Sequence, residues 1–530
     1  MLPSKPGMSP AHPLSPTLSL TIPDEAAMVR LAEDIAAILG PGDVIALSGD
    51  LGAGKSTFSR ALLRAFAGDP ALEVPSPTFT LVQTYDLDRL TISHLDLYRL
   101  EEPEELEELG LEDLTATGAA LIEWPEKAGR FLPASRLILS IAHSGENDAR
   151  AVTFSFASPA AESRWAQRLA RTQRIRALAE EAGFTGAERR YLTGDASARA
   201  YEVIRTPQKS AVLMNSPAAY DQAKPGDVPS YSETVHRART VDAFIALTGE
   251  LRRRGYSAPE LYAIDRDAGL LLQENLGGEG IITPDRQPIP ERYAAAAQLL
   301  AEMHADTDWP QDLPVTGMDG ALLARHIIPA YSANALLTEA DLFLEWYVPW
   351  RAGADPATLP AAPDTQERAE YRALWQTAFA RIRDAQTGWV MRDYHSPNIL
   401  WLDGREGHAK LGLIDYQDCV LGPVAYDLAS LLLDARVDIP RALEDGLLTG
   451  YLARRKAQDA GFDEELFRAA YAVMGAQRIA KILGAFVRLK YAYGKPQYMA
   501  HMPRMTDYLD RTLAHPALAE LASWFRARTG

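Results

Sequence analysis

A glycine-rich turn that closes on Lys55 constrains this 530-residue chain more than any other segment. The stretch GDLGAGKST, Gly49 to Thr57, has the spacing Gly49-x4-Gly54-Lys55-Ser56. An apolar run, Val44 to Ser48, leads into it, and Phe58, Leu62 and Phe66 recur at helical spacing after it. Strand, glycine turn and helix in that order make a loop whose backbone N–H groups curl around phosphate oxygens, with the positive end of the helix behind them. Gly49, Asp50, Gly52, Ala53, Gly54, Lys55, Ser56 and Thr57 are therefore the candidate ATP-binding residues. Lys55 can reach the β and γ oxygens, and the Ser56 hydroxyl can ligate Mg²⁺.

The surroundings predict an α/β layer. A helix is expected near Glu25–Leu39, and extended segments follow at FTLVQTY, LTISHLDLY, GAALIEW, SRLILSIAH and AVTFSF. Asp96 and Glu123 close two of these apolar runs, and carboxylates at such strand ends face a phosphate site. Four regions are expected: a disordered leader over 1–17, with Pro3, Pro6, Pro10, Pro13 and Pro16; an α/β domain over 18–157; a linker helix over 158–184; and a second domain over 185–530.

Composition narrows the classes. The chain is 47% hydrophobic and 24% charged, carries a single cysteine, Cys419, and has no run of about 18 apolar residues. It reads as a cytoplasmic protein with no disulfide framework and no membrane span. A net charge of −17 argues against direct nucleic-acid binding, which needs clustered Lys and Arg. The acidic run Glu101 to Leu114 is either a solvated helix face with Leu106 and Leu109 turned inward, or a docking surface.

The second half holds a different constellation. In MRDYHSPNIL, Asp393 and Asn398 follow the short strand TGWVM; the strands NILWL and HAKLGLID come next, the last ending at Asp415. That order is the layout of a protein-kinase-like catalytic centre in an α+β domain. Asp393 would take the proton from a substrate hydroxyl, while Asn398 and Asp415 would hold Mg²⁺. Asp427, in VAYDLASLLLDAR, would brace the loop through hydrogen bonds. A kinase strand normally offers a lysine to the nucleotide phosphates, but Val212, Leu213, Met214 and Asn215 stand there. Two readings follow: a decayed kinase kept as a binding module, or an active one that has dispensed with the lysine. Retention of Asp393, Asn398, Asp415 and Asp427 together favours the second.

Two resemblances sharpen this. VPSPTFTLVQTY, HLDLYRLEEPEELEELGLEDL and LIEWPEK, over about Leu18–Phe156, resemble the TsaE family of bacterial tRNA threonylcarbamoyladenosine synthesis. The resemblance implies a P-loop ATPase that works beside TsaB and TsaD. It implies Glu123 as a magnesium ligand with Ser56, Asp96 beside the metal or its water, and Thr78 in a switch-like loop. The one departure is Ser56, where the family usually has threonine.

The stretches LTGDASARAYEVIR, AVLMNSP, LLLQENLG, RDYHSPNILWL, GLIDYQDCVLGPVAYDLASLL and QRIAKILGAFVRL resemble the aminoglycoside/choline-kinase superfamily, and within it sugar kinases of the AmgK type. This implies ATP-dependent phosphorylation of the anomeric hydroxyl of N-acetylmuramate or N-acetylglucosamine. It also implies that VLM followed by an acid or amide is the ordinary form of the strand in this subfamily. His395 is read as either a substrate-orienting or a packed loop residue, and Glu345 and Trp346 as core more than sugar platform. The sequence presents no metal-ligand cluster of the zinc kind.

Overall fold

The computed structural model describes residues 16–145, 148–192, 199–217 and 229–529. Most of the expected leader, and Gly194 with the residues around it in LTGDASARAYEVIR, lie outside the described residues. Pro16 and Thr17, assigned above to the leader, instead open strand β1 (Pro16–Ile22). It is an edge strand, where a proline that cannot donate to the ladder is tolerated. Contacts divide the chain into two compact units, Met1–Asn215 with Leu270–Gln273, and Ser216–Gly269 with Glu274–Gly530.

The first unit is built on a seven-stranded sheet. After β1 come α1 (Glu25–Ile38), β2 (Val44–Ser48), α2 (Lys55–Ala67), β3 (Val82–Asp86) and β4 (Thr91–Asp96). The acidic run forms two short helices, α3 (Glu105–Glu108) and α4 (Leu111–Ala116), parted by Gly110 at φ 64°, and Leu106 is buried. Strands β5 (Ala119–Glu123), β6 (Leu137–His143) and β7 (Arg150–Phe156) complete the sheet in the order β1-β7-β6-β2-β5-β4-β3. The central strand β2 runs parallel to β5 and β6. Side chains alternate along it: Val44 joins a core with Ala120 and Ile122, while Ile45 and Leu47 join Phe58, Leu62 and Trp165 on the other face.

Helix α5 (Pro159–Glu181) is the expected linker, yet it is packed into this unit. Ser158 caps it by accepting the Ala161 amide, and Trp165 is fully buried with its indole N–H on the Ser135 carbonyl. Arg164 and Arg168 close on the buried carboxylate of Asp43 at 2.6 and 2.5 Å. The unit also contains the antiparallel strands β8 (Glu188–Leu192), β9 (Ala200–Arg205) and β10 (Ser210–Asn215). Arg189 of β8 reaches Asp34 of α1 at 2.7 Å and Glu202 of β9 at 2.7 Å, while Arg176 of α5 binds Glu33 and Asp34.

The second unit is mainly helical. Helix Glu464–Tyr493 runs against helix Ala333–Leu342, which continues through a π-turn, Phe343–Tyr347. Gly484 permits this approach, since a Cβ there would lie 2.1 Å from the Leu342 carbonyl oxygen. Two short ladders, Thr387–Val390 with Val420–Pro423 and Ile399–Trp401 with Leu411–Leu413, carry the loop between them.

Candidate active sites

In the first unit β2 delivers the chain to a turn that only glycine can make. Gly49 lies at φ 147°, and a Cβ there would stand 2.3 Å from the Ile141 carbonyl oxygen. Lys55, the first residue of α2, is buried and folds its amine back to the carbonyls of Gly49 at 2.6 Å and Asp50 at 3.0 Å. The amine also sits 3.6 Å from the centre of the Trp124 ring. Burial lowers its pKa from the ordinary value, against the pull of Glu123, Glu126, Asp96 and Asp50. Ala53 is buried with its carbonyl bound by Arg150 at 3.0 Å, while Gly52 (φ 78°) and Gly54 (φ 116°) supply left-handed backbone on either side of it. Thr57 lies half-buried in the first turn of α2.

Glu123 is drawn into this site from the end of β5. Its Oε2 accepts the Ser56 hydroxyl at 2.9 Å; its Oε1 meets Ser59 at 3.1 Å and His94 Nε2 at 2.9 Å. Asp96 pairs in register with Glu123 across the parallel β4–β5 ladder, and accepts the Ser76 hydroxyl at 3.0 Å and the Tyr98 amide at 3.1 Å. The Thr78 hydroxyl donates to the carbonyl of Ser76 at 3.5 Å. His94, Ser59, Ser76 and Trp124 were not singled out from the sequence. His94 was accessible there, because a residue two before Asp96 on a strand shares its face.

In the second unit Asp393, Asn398 and Asp415 come together. Asn398 donates to the Asp393 carbonyl at 2.9 Å and lies 3.4 Å from the Asp415 carboxylate. Asp415 is left-handed at φ 58° and accepts Gln417 Nε2 at 2.6 Å. Asp427 accepts the amides of Met391 and Arg392, the turn just before Asp393; burial raises its carboxyl to about 7, against those two amides. Asp434 does the same service on the other side, accepting the Ser396 amide and hydroxyl. Desolvation lowers the buried His395 imidazole to about 4.

Beside Asp393 lies a charged cluster the sequence did not reveal. Glu339 binds the Arg392 guanidinium and the Tyr331 hydroxyl, and Lys481 Nζ at 3.3 Å. Lys481 also reaches the Tyr426 hydroxyl at 3.0 Å. Burial works against the Asp393 carboxylate, but His395, Lys481, Arg392 and Arg478 outweigh it and hold the group below its ordinary value. Asp393 is thus an ionised, weak base. Glu345 is tied to Arg368 at 2.6 Å, and Trp346 is 6% exposed, so both belong to packing.

Where a kinase strand would offer its lysine, Met214 is 1% exposed and Asn215 accepts Arg171 at 2.6 and 2.9 Å. Each site offers a hard oxygen pair, Ser56 with Glu123 and Asn398 with Asp415. Such pairs suit Mg²⁺, which keeps several waters and needs few protein ligands. Among the described residues no cluster of three or more His, Cys, Asp or Glu is arranged for a metal, and no helix is long and apolar enough to cross a membrane.

A phosphate loop on a parallel sheet followed by a kinase-like catalytic loop defines a P-loop ATPase joined to a phosphotransferase. Comparison with known proteins agrees. The family model "Threonylcarbamoyl adenosine biosynthesis protein TsaE" matches residues 22–152, and "Phosphotransferase enzyme family" matches 188–465. An N-acetylmuramate/N-acetylglucosamine kinase of Caulobacter vibrioides is 37% identical over 355 residues, 65% of this chain and 92% of the relative. A kinase of the same name from Pseudomonas putida is 29% identical over 341 residues, 62% of this chain and 85% of the relative. A TsaE of Rickettsia bellii is 46% identical over 104 residues, 20% of this chain and 72% of the relative. The chain belongs to the phosphotransferase enzyme family, with a TsaE-family domain at its head. It is an ATP-using enzyme in both parts, an ATP hydrolase and a phosphotransferase.

Proposed function

We propose that this chain is a cytoplasmic bifunctional enzyme. Its first part would be the ATPase of tRNA threonylcarbamoyladenosine modification, acting beside TsaB and TsaD. Its second part would phosphorylate the anomeric hydroxyl of N-acetylmuramate or N-acetylglucosamine in cell-wall recycling. What supports this is that each phosphate site closes its own constellation inside its own unit: Ser56 with Glu123 at 2.9 Å in one, Asn398 between Asp393 and Asp415 in the other.

In the ATPase, Lys55 and the amides of the Gly49–Thr57 turn would cradle the phosphates, Ser56 and Glu123 would hold Mg²⁺, Asp96 would stand beside the metal or its water, and Thr78 would belong to a switch-like loop. In the kinase, Asp393 would orient the acceptor hydroxyl and take its proton, while Asn398 and Asp415 would hold Mg²⁺. The metal, when bound, neutralises charge on the β and γ oxygens. An ionised but weak base suits an anomeric hydroxyl, which is more acidic than an ordinary sugar alcohol. With a net charge of −17, tRNA recognition falls to the partner proteins.

The test is a screen of the purified full chain with ATP and N-acetylmuramate, N-acetylglucosamine, an aminoglycoside or choline, alongside reconstitution of tRNA modification with TsaB and TsaD. Sugar-dependent ADP release and rescue of modification are expected. Release only with choline or an aminoglycoside, or no rescue, would refute the corresponding half.

A further inference from the structure

Two guanidinium groups in the kinase unit lie against one aromatic ring. The Arg488 guanidinium carbon lies 4.8 Å from the centre of the Tyr231 ring, and that of Arg237 lies 5.7 Å from it. Among the described residues neither has a carboxylate partner, although Arg239, two residues from Arg237, is paired with Glu233 at 2.8 Å. Arg488 Nε is buried with no hydrogen-bond acceptor. Two cations around one side chain, uncompensated among the described residues, repel each other, and an anion reaching both would relieve them.

Their position relates this pair to the catalytic centre. Arg488 follows Lys481 by seven residues on helix Glu464–Tyr493, two turns along the same face and about 10 Å away. Tyr231 lies within electrostatic reach of Lys481 and Glu339, the cluster that flanks Asp393. Arg237 also lines an open groove shared with Gln417. Gln417 is 4% exposed; its amide nitrogen holds Asp415, and its Oε1 is buried with no donor. The groove therefore offers the Arg237 guanidinium for a carboxylate and an acceptor oxygen for a hydroxyl or amide N–H. A ligand with both features is an acidic amino sugar.

Resting on the sugar-kinase reading above, we propose that Arg488 and Arg237 form a clamp for a carboxylate on the acceptor, and that this clamp makes the enzyme prefer a carboxylate-bearing amino sugar over its neutral counterpart. A guanidinium pairs with a carboxylate through two parallel N–H···O bonds, which fixes orientation as well as charge. N-acetylmuramate carries such a group as its lactyl ether; N-acetylglucosamine does not. Gln417 would couple the sugar's hydroxyl or amide to the position of Asp415.

The experiment is steady-state kinetics of the full chain with each sugar and with ATP varied in turn, for Arg488→Gln, Arg237→Gln and Arg488→Lys. The ratio of kcat/KM for N-acetylmuramate over N-acetylglucosamine should fall about 10- to 100-fold in the glutamine variants, through KM, as expected for losing a charged hydrogen bond. Arg488→Lys should recover part of it. Arg237 is exposed, so its variant keeps the test open if Arg488→Gln misfolds. An unchanged ratio, or a rise in KM for ATP instead, overturns the clamp alone. If the unsubstituted chain phosphorylates neither sugar, the sugar-kinase reading itself has failed and the clamp falls with it.

Discussion

Asp427 holds Arg392 by its backbone: one carboxylate oxygen accepts the Arg392 amide at 2.9 Å while the other accepts the Met391 amide at 2.6 Å. Arg392 sits at φ 65°, a left-handed conformation that costs a non-glycine residue about 1–2 kcal/mol. The carboxylate thus pins a strained turn whose next residue is Asp393. Asp427→Asn turns an N–H donor toward an amide donor. We expect kcat of sugar phosphorylation to drop about 100-fold, the cost of a base displaced by roughly 1 Å, with little change in KM. A variant with normal kcat would mean that the turn holds itself.

Arg189 makes an unequal network with its acids. Burial alone would lower its pKa, but Glu202 and Asp34 outweigh that and raise it, keeping the guanidinium charged. For Asp34 burial is the larger effect, and its carboxyl is raised despite Arg189 and Arg176. The cation is therefore the keystone. Arg189→Met leaves buried carboxylates without it and should cost about 3–5 kcal/mol of stability in urea unfolding. A loss under about 1 kcal/mol would show the network to be dispensable.

The two activities should separate by substitution. Lys55→Ala is expected to lower ATP hydrolysis and tRNA modification about 10²- to 10³-fold and to spare sugar phosphorylation. Asp393→Asn should cut sugar phosphorylation about 10²- to 10⁴-fold and spare the ATPase. If either change silenced both activities with circular dichroism unaltered, the two-machine reading would be wrong.

The strand without a lysine yields a chemical test. Met214 is buried and its neighbour Asn215 is held by Arg171, so Met214→Lys would bury an ammonium in an apolar place and should bring no gain in rate. Asp415→Ala should be close to fatal, because the charge on the phosphates then loses a metal ligand. The product should be a sugar 1-phosphate, released as inorganic phosphate in mild acid. An acid-stable phosphosugar, or activation by Met214→Lys, would point to another acceptor or a decayed site.

His304 gives a pH dependence. It is buried with Nδ1 2.7 Å from the Tyr451 hydroxyl, and burial, with Arg455 beyond it, lowers the imidazole from 6.5 to about 3. Unfolded chains bind a proton here below pH 6.5 that the folded protein refuses. The stability present above pH 6.5 is therefore lost as pH falls toward 3, at up to about 1.4 kcal/mol per pH unit. His304→Gln should flatten this slope in chemical denaturation measured from pH 7 to 4. An unchanged slope would assign the loss to other groups.

Local signals were legible in the sequence and long-range ones were not. The Gly49–Thr57 turn announces itself because its strand, glycines and helix are contiguous, and Asp393, Asn398 and Asp415 because the intervening strands are short. Strand β1 was hidden, since its pairing partner β7 lies more than a hundred residues away and its one proline, Pro16, read as the end of the leader. The Glu339–Lys481 contact was invisible for the same reason: it exists because Gly484 lets two distant helices touch, and no spacing rule reports that. Helix α5 was read as a linker, and nothing in its local spacing reports what its arginines bind. Asp43, Asp34 and Asn215, which those arginines bind, come from three separate stretches of chain.

The first compact unit already contains β8, β9 and β10, strands that the phosphotransferase family counts as its own. A gene break after Phe156 would strip the ATPase sheet of Trp165 and of the arginines that cover Asp43. A break after Asn215 would deprive the kinase of its opening strands. Neither single cut leaves both parts with all their residues, so the border between the two families is here a shared segment of chain, not a point.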